Sequence, residues 1–476
     1  MAATALFAFA WAIARACVQS ITIDEADTYL LFVGRFEPFH WYAAANNHVL
    51  NSALMRLFTS VFGLSHLTVR APALVGAAIY IAAAWYLCHL IATSTAEQNL
   101  ALEWPLFVCL VYNPFVFDYL VAARGYGLAS AFLICALAAA AWWRGRGGSP
   151  VRACALCSAS VALSFAANFS FAFADLCVLA AAASWILYRE RRWYARIAAA
   201  AILPGAVVTA LLTLSTLLKW PKGQLTEGAS SLRLTISSII DSSLYRLNPE
   251  VASPLVLAAL QRIRPLLFPA LAVLVVWHAA ALLHKRREDW VAEFSLVAAA
   301  AAAGAFAIHA ATFWAFHLLL PFNRTALFFV PLGTLAAGSL ASVRPARSLM
   351  VLFWVFTVYF LACLRLSYFH EWQWGQDVRS VYPVLAYYNH TYCVDRMSSN
   401  WLYAAQLNFY RRLSGHETFR EFSPESAYAP DSAVYVLNSA FDQEFLDAQR
   451  LQVVYRGATT PIVVAVRPDR LGGCPK

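Results

Sequence analysis

The chain contains 476 residues, of which 61% are hydrophobic and only 13% are charged, and its mean hydropathy is +0.59. An ordinary soluble protein carries charge on about 25% of its residues, so a soluble chain of this composition could not cover its surface with polar groups. The composition excludes disordered, fibrous and nucleic-acid-binding proteins and predicts an integral membrane protein. The net charge of +9 is therefore interpreted by position, because basic loops set the orientation of a membrane protein.

Eleven apolar runs approach the roughly 20 residues that a helix needs to cross a bilayer. They span residues 3–21, 68–92, 100–118, 126–143, 153–168, 170–188, 196–217, 265–283, 291–313, 325–342 and 348–366. The first run lacks a basic flank and an A-x-A cleavage pattern, so we expect a retained helix rather than a signal peptide. The sequence therefore predicts an α-helical polytopic membrane protein with about eleven transmembrane helices.

Basic residues are unevenly distributed between the short connections of these runs. One set of connections holds twelve basic residues, whereas the other set holds only Arg124 and Arg324. The richer set lies at 144–152, 189–196, 284–289 and 343–347. Basic connections favour the cytoplasm, so long loops at about 22–67 and 218–264 and all residues after 366 should be extracytoplasmic. This pattern predicts a multi-pass plasma (inner) membrane protein.

The composition changes at about residue 367, where polar residues become common and no later run is long enough to span a bilayer. The residue patterns predict strands at 432–438, 451–455 and 461–466, with the last two in a hairpin, and helices at 376–388, 399–413 and 440–449. We therefore predict a transmembrane module over 1–366 and a small extracytoplasmic α/β domain over 367–476. Cys393 and Cys474 are the only cysteines of this domain, and the sequence leaves open whether they form a disulfide there.

Three carboxylates follow the first apolar run, namely Asp24, Glu25 and Asp27. A carboxylate that faces a cavity can take a proton from a hydroxyl when burial and neighbours adjust its pKa. Asp24 and Glu25 are therefore candidate catalytic residues. The alternative is structural, because acidic residues also cap and stabilise the N-termini of helices.

Two arginines stand at the predicted outer ends of apolar runs, Arg124 in Arg-Gly-Tyr and Arg324 in Pro-Phe-Asn-Arg. A guanidinium at the membrane edge is costly and tends to have a specific anionic partner. Phosphate matches the guanidinium fork best, so both residues are candidates for binding a phosphate. The alternative is that their side chains reach out to lipid headgroups.

A third group of polar residues could line a cavity and contact a substrate. It consists of Asn47 and His48 in the first long loop, Arg70 at the start of the second run, Tyr126 and His317. His48 is also a candidate metal ligand or a hydrogen-bond partner of a carboxylate. A histidine in an amphipathic loop is, however, more often structural.

The order and sidedness of these motifs resemble those of the GT-C glycosyltransferases. The resemblance lies in Asp24-Glu25, in Asn47-His48-Val49-Leu50 followed by Arg56-Leu57-Phe58 and Val69-Arg70-Ala71-Pro72, and in Asn113-Pro114 followed by Ala123-Arg124-Gly125-Tyr126. The similar families are the protein O-mannosyltransferases, the lipid A aminoarabinose transferases and the bacterial enzymes that glycosylate lipopolysaccharide cores. The similarity is clear over about residues 20–130 and looser over 316–332.

The resemblance implies a donor sugar carried on a polyprenyl phosphate and an acceptor hydroxyl on a lipid, a glycan or a protein. By the same likeness, Asp24 would be the general base, and Arg124 and Arg324 would grip the donor phosphate. Departure of a lipid phosphate needs positive charge beside its oxygens, and attack needs a base. One base without a covalent nucleophile would invert the anomeric centre.

The resemblance also implies that Glu25 and His48 line the same cavity, or that Asp24, Glu25 and His48 hold a divalent metal ion. This sequence departs from the aminoarabinose transferases, which have a Glu-Lys-Pro run in the region of Asn46-Asn47-His48. The identity of the sugar and the presence of a metal therefore stay open.

The main alternative is a transporter or flippase of lipid-linked sugars. Transporters often contain internal repeats and broken helices with polar residues near the bilayer midplane. This sequence shows no repeat between its halves, and its polar clusters lie at the outer edge, which favours a glycosyltransferase. A catalytically inactive relative that acts in assembly is a third interpretation, and the intact Asp24-Glu25 pair argues against it.

Overall fold

The computed structural model describes residues 1–34, 44, 46–94, 100–221, 223–224, 227–245, 289–342, 348–415, 418–423, 428–429 and 431–472, with isolated helical residues at 254–255, 258–259, 262 and 273. Its helices up to the end of the apolar region are α1 (Ala2–Val18), α2 (Ile23–Asp27), α3 (Val49–Phe62), α4 (His66–Ser94), α5 (Leu100–Val111), α6 (Pro114–Tyr119), α7 (Tyr126–Arg146), α8 (Pro150–Ala167), α9 (Ala172–Arg189), α10 (Tyr194–Leu218), α11 (Leu232–Ser243), α12 (Trp290–Phe316), α13 (Phe329–Ala341) and α14 (Leu349–Ala362). The C-terminal part contains α15 (Val378–Tyr392), α16 (Trp401–Ser414) and α17 (Gln443–Ala448) with strands β1 (Met397–Ser399), β2 (Val434–Asn438), β3 (Gln452–Arg456) and β4 (Ile462–Val466).

Seven helical segments of the described chain are long and apolar enough to cross a membrane. They are His66–Ser94, Tyr126–Arg146, Pro150–Ala167, Phe169–Arg189, Arg191–Leu218, Trp290–Phe316 and Asn323–Ala341. Each coincides with one of the predicted apolar runs. The prediction of an α-helical polytopic membrane protein is therefore confirmed.

The other four predicted runs take different forms. The first run forms α1, which is followed by the helical segment Ile23–Val33 at a bend of 76°. The run 348–366 forms the shorter helix α14, and the run 100–118 is divided between α5 and α6. Apart from residue 273, the run 265–283 lies outside the described residues.

The break between α5 and α6 has a local cause at Asn113 and Pro114. Proline lacks a backbone N–H and keeps the preceding residue out of the helical conformation, and Asn113 accordingly has ψ = 122°. The side-chain oxygen of Asn113 accepts hydrogen bonds from the backbone N–H groups of Phe115 (3.0 Å) and Val116 (3.4 Å). Asn113 therefore caps a new helix instead of continuing the old one.

The chain divides into two compact units by its internal packing. We name them the transmembrane unit (Met1–Ile13, Trp41–Leu54 and Ala71–Leu364) and the C-terminal unit (Ala14–His40, Met55–Arg70 and Arg365–Lys476). The C-terminal unit thus includes the acidic segment after α1 as well as the last part of the chain. The proposed domain boundary between residues 366 and 367 stays a prediction.

The C-terminal unit contains a four-stranded sheet with the order β1-β2-β4-β3. β1 pairs with β2 in parallel, and β4 pairs antiparallel with both β2 and β3. The central strands β2 and β4 are buried at every position, whereas the edge strand β3 alternates between exposed and half-buried residues. The predicted small α/β domain and its hairpin are confirmed. The short strand β1 was not predicted, because three residues carry too little pattern.

Two of the cysteines lie in the C-terminal part of the chain. Cys393 is disulfide-bonded, whereas Cys474, the partner that the sequence suggests, lies outside the described residues. The other eight cysteines are free thiols. A paired cysteine in the α/β domain is consistent with an oxidising environment.

Candidate active site

The acidic segment of the C-terminal unit is the first turn of α2. Thr22 caps this helix: its hydroxyl accepts a hydrogen bond from the N–H of Glu25 (3.1 Å), and its own N–H donates to Oε2 of Glu25 (2.9 Å). This reciprocal pair is a capping box. Asp24 and Glu25 in the first turn also interact favourably with the positive end of the helix dipole.

Glu25 forms a buried ion pair with Arg70. Nε and Nη2 of Arg70 donate to the two carboxylate oxygens of Glu25 at 2.9 and 2.8 Å, and neither side chain is exposed. The remaining donors of Arg70 bind the backbone carbonyls of Ala16 (3.1 Å), Gln19 (3.0 Å) and Ser20 (2.7 Å). All five N–H groups of the guanidinium are therefore occupied.

These contacts bear on two expectations from the sequence, which stay predictions. Arg70 was expected to line a cavity and touch a substrate, but its guanidinium is buried against Glu25 and three carbonyl groups. Glu25 was expected to act in catalysis or to hold a metal, but both of its oxygens already accept hydrogen bonds from Arg70. The arrangement matches the structural alternative for Glu25, because a buried carboxylate must be paired.

Asp24 occupies a different position on the same turn. It is only partly buried, and its Oδ2 accepts a hydrogen bond from the indole N–H of Trp372 at 3.1 Å. Asp27, one turn further along, is also partly buried. Asp24 therefore keeps the accessibility that a general base needs, whereas its neighbour Glu25 does not.

The transmembrane unit contains a cavity of about 830 Å³, which is large enough for a small-molecule or lipid-headgroup ligand. Its polar lining comes from Asn46, His48, Tyr126, Asn168, Ser170, Gln224, Glu227, His309, Thr312, Arg324 and Thr325. Its apolar lining includes Phe165, Phe169, Phe173, Leu217, Trp220 and Leu318–Leu320. The predicted residues His48, Tyr126 and Arg324 are thus brought together at one cavity.

Arg124 is not part of this lining and is almost fully buried. Its Nη2 donates to the side-chain oxygen of Asn46, and its carbonyl accepts from Asn168 (3.4 Å). The next residue, Gly125, has φ = +76°, and a Cβ there would lie 2.1 Å from the carbonyl oxygen of Ala167. Only glycine fits this conformation and this close approach, and the turn separates buried Arg124 from the cavity-lining Tyr126.

His48 is the most informative side chain of the cavity. It is 4% exposed and packs edge-on against Tyr126 with 5.6 Å between ring centroids. Among the residues that the structure describes, neither of its ring nitrogens has a hydrogen-bond partner. Burial lowers the pKa of His48 well below its usual value, and the charges of Arg124 and Arg324 lower it further. The ring is therefore neutral at physiological pH and offers one donor and one acceptor.

Arg324 lies in a short 3-10 helix, Asn323–Ala326, that follows α12. Its side chain is 16% exposed and forms an ion pair with Glu227 at 3.1 Å, and the Glu227 side chain is 80% exposed. The backbone N–H of Asn323 donates to the hydroxyl of Ser238 on α11 (3.0 Å), which fixes the start of this turn. An ion pair with so exposed a partner is weak, so an anionic ligand could displace Glu227.

Two further predicted cavity residues lie elsewhere. Asn47 is fully buried, and its side-chain oxygen accepts a hydrogen bond from the hydroxyl of Ser52 (2.9 Å). His317 is exposed and ends α12 in the left-handed conformation with φ = 55°. Neither residue belongs to the lining of the cavity. The sequence placed Asn47 in the first long loop and His317 at the outer end of an apolar run, but it could not show which way their side chains point.

Several residues of the site were not predicted. Asn46, Asn168 and His309 line the cavity. Outside this lining, Asp118 is a buried carboxylate that accepts a hydrogen bond from the hydroxyl of Tyr245 (2.7 Å). Asp118 ends the predicted run 100–118 and His309 interrupts the run 291–313. A polar residue in an apolar run is a signal of function. That signal could have identified both of them.

The described part of the chain contains no group of three or more His, Cys, Asp and Glu side chains that could hold a metal ion. The expected use of Asp24, Glu25 and His48 as ligands of a divalent cation stays a prediction. Glu25 fits that role poorly, because Arg70 already occupies both of its oxygens.

The comparison with known proteins rests on structure alone. No family model matches the sequence, and no curated protein matches it. The chain is similar to the crystal structure of ArnT from Cupriavidus metallidurans bound to undecaprenyl phosphate, with a TM-score of 0.57 and 12% sequence identity over 100% of this chain and 98% of that chain. The fold is that of ArnT. The apo state of ArnT gives the same TM-score and coverage at 11% identity.

This likeness in fold agrees with the resemblance that the sequence motifs indicated. ArnT is the lipid A aminoarabinose transferase and a GT-C glycosyltransferase, one of the families that the motifs named. At 11–12% identity the likeness to ArnT shows a shared fold. The roles of individual residues must therefore be argued from the geometry of this chain.

Proposed function

We propose that this protein is a membrane glycosyltransferase that moves a sugar from a polyprenyl-phosphate donor to an acceptor hydroxyl on the extracytoplasmic side. The fold supports this proposal, because the similar ArnT structure contains bound undecaprenyl phosphate. The motif order around Asp24 and Arg124 supports it as well.

The observation that carries the proposal is the environment of His48. A buried polar group normally has a hydrogen-bond partner, yet the described residues offer none to the His48 ring. The positive charges of Arg124 and Arg324 disfavour protonation of this ring. The cavity beside the ring is lined by aromatic and leucine side chains. An anionic headgroup with an apolar tail matches this combination of a hydrogen-bonding ring, positive charge and apolar walls.

The proposed chemistry takes its residue roles from the resemblance of the sequence motifs. Asp24 accepts the proton of the acceptor hydroxyl, and the freed electron pair of the acceptor oxygen forms the new bond to the anomeric carbon. The bond from that carbon to the phosphate oxygen breaks, and its electron pair stays on the phosphate. Arg324 and Arg124 stabilise the charge that develops there. One displacement of this kind inverts the anomeric centre and releases the polyprenyl phosphate.

Two observations support the extracytoplasmic placement of the α/β domain. The basic connections between the apolar runs favour the cytoplasm, and the α/β domain follows the last run on the other side of the membrane. Disulfides persist in oxidising compartments, and Cys393 is disulfide-bonded.

The test is the binding of undecaprenyl phosphate to the purified protein in detergent. A charge-assisted hydrogen bond contributes about 1.5–3 kcal/mol, and about 1.4 kcal/mol corresponds to a tenfold change. Arg324→Ala should therefore weaken binding at least tenfold. Arg124→Ala should weaken it as well, because the charge of Arg124 lies next to the cavity-lining residue Asn46. Arg192→Ala is the control, because that side chain is 77% exposed in a connection between helices. Wild-type affinity in both test variants would show that these arginines do not bind the phosphate.

A further inference from the structure

The C-terminal unit holds the acidic turn through a tryptophan that no motif indicated. Trp372 is 4% exposed, and its indole N–H donates to Oδ2 of Asp24 at 3.1 Å. An indole N–H is a donor only and carries no charge. It can therefore fix the orientation of a carboxylate without forming an ion pair that would compete for the proton.

We propose that Trp372 is a positioning residue, which holds the Asp24 carboxylate in the orientation that accepts the proton of the acceptor hydroxyl. This inference rests on the proposed function. It gives the last segment of the chain a part in catalysis, because Trp372 orients the base.

The indole ring is itself firmly held. The backbone N–H of Trp372 donates to the carbonyl of Phe369 (3.2 Å), and the two rings pack edge to face at 6.1 Å between centroids. The Phe369 ring in turn lies against the guanidinium groups of Arg15 (5.0 Å) and Arg70 (5.2 Å). Arg70 is the partner of Glu25 on the acidic turn, so the ion pair and the indole support the same turn.

The backbone around the acidic turn is tied to the same segment. The Nη1 group of Arg379 donates to the carbonyls of Cys17 (2.8 Å) and Val18 (3.0 Å), which are the last residues of α1. The hydroxyl of Ser20 donates to the carbonyl of Gln376 (2.6 Å). These contacts fix the path of the chain into α2, and the Trp372 indole then fixes the side chain that α2 presents.

A purely structural role for Trp372 predicts different kinetics from a positioning role. Loss of a structural contact lowers the amount of folded protein and affects all substrates alike. Loss of orientation lowers the rate of the chemical step and leaves the donor affinity unchanged. It also has no effect when the base is already absent, because the tryptophan acts through Asp24 alone.

The experiment is a double-mutant cycle between Trp372→Phe and Asp24→Asn in the full-length protein. The donor is the lipid-linked sugar extracted from a deletion strain, and an extract of the same strain supplies the unglycosylated acceptor. The release of polyprenyl phosphate is followed by mass spectrometry. Phenylalanine keeps most of the ring but removes the N–H group. The matched control is Trp374→Phe, since Trp374 lies two residues further on and packs against Tyr403 (6.2 Å).

We expect Trp372→Phe to lower kcat about 10- to 100-fold with an unchanged donor KM, and Trp374→Phe to keep the wild-type kcat. In the Asp24→Asn background, Trp372→Phe should cause no further loss. A wild-type kcat in Trp372→Phe, or an equal fold-loss in both backgrounds, overturns the positioning role while the proposed function stands. Wild-type turnover in Asp24→Asn alone would instead overturn the proposed function.

Discussion

The buried pair of Glu25 and Arg70 makes a prediction that separates fold from chemistry. Glu25→Gln keeps the size of the side chain but removes its charge and turns one hydrogen-bond acceptor into a donor. The new amide N–H would then face an N–H of the Arg70 guanidinium, which keeps its charge at 0% exposure. Breaking a buried ion pair by removing one partner costs about 3–5 kcal/mol.

This loss should be visible in the thermal unfolding of the detergent-solubilised protein. At about 2–4 °C per kcal/mol for a unit of this size, the Tm of Glu25→Gln should fall by at least roughly 6 °C. Glu190→Gln is the matched control, because its partner Arg192 is 77% exposed and lies 3.6 Å away, and an exposed pair contributes only about 0–1 kcal/mol. A Glu25→Gln protein with the wild-type Tm but no activity would refute the structural assignment and give Glu25 a chemical role.

Three further predictions concern the transmembrane unit. Glu227→Gln should lower the donor KM a few-fold, because the exposed carboxylate of Glu227 and the donor phosphate compete for Arg324. The effect is small because an exposed ion pair contributes only about 0.2–1 kcal/mol. A raised KM would show that Glu227 assists binding. The pKa of His48 is lower in the folded protein than in the unfolded chain. Below about pH 6.5 the unfolded chain therefore binds more protons than the folded protein, so the stability of the fold decreases as the pH decreases. The Tm of His48→Gln should accordingly fall less between pH 7 and pH 5 than that of the wild type, and parallel profiles would contradict this. Gly125→Ala should abolish the expression of folded protein, because its Cβ would lie 2.1 Å from a carbonyl oxygen. Gly63→Ala is the control and should express well, because Gly63 has a similar positive φ but no atom within 4 Å of the added Cβ. Size-exclusion chromatography measures the folded protein in both variants.

The membrane-spanning part of the fold was predictable because a helix that crosses the hydrocarbon core needs about 20 apolar residues, whichever helices it packs against. The helices His66–Ser94 and Trp290–Phe316 coincide with predicted runs for this reason. Hydropathy does not register a local cap, so the run 100–118 was predicted as one helix although Asn113 and Pro114 divide it. The strands β2 and β4 were predictable from their continuous apolar β-forming residues.

The candidate site was only partly predictable, because its geometry depends on residues that are distant in the sequence. The sequence identifies Glu25 as an acid at a helix start, but it does not show that Arg70 approaches it with all five N–H groups. His48 and Arg324 were both predicted, and the structure brings them to one cavity. Trp372 carried no signal at all, since a tryptophan in a polar segment is compatible with simple packing.

The central claim is that sugar transfer depends on Asp24, and one measurement tests it most directly. Mass spectrometry compares the surface glycolipids and glycoproteins of a deletion strain that carries wild-type protein, Asp24→Asn or Asp27→Asn at matched membrane levels. General-base removal lowers the rate by about 10²–10⁴-fold, so the glycoform that is lost on deletion should return with wild type and Asp27→Asn but not with Asp24→Asn. Full restoration by Asp24→Asn would contradict the claim and favour transport of a lipid-linked sugar.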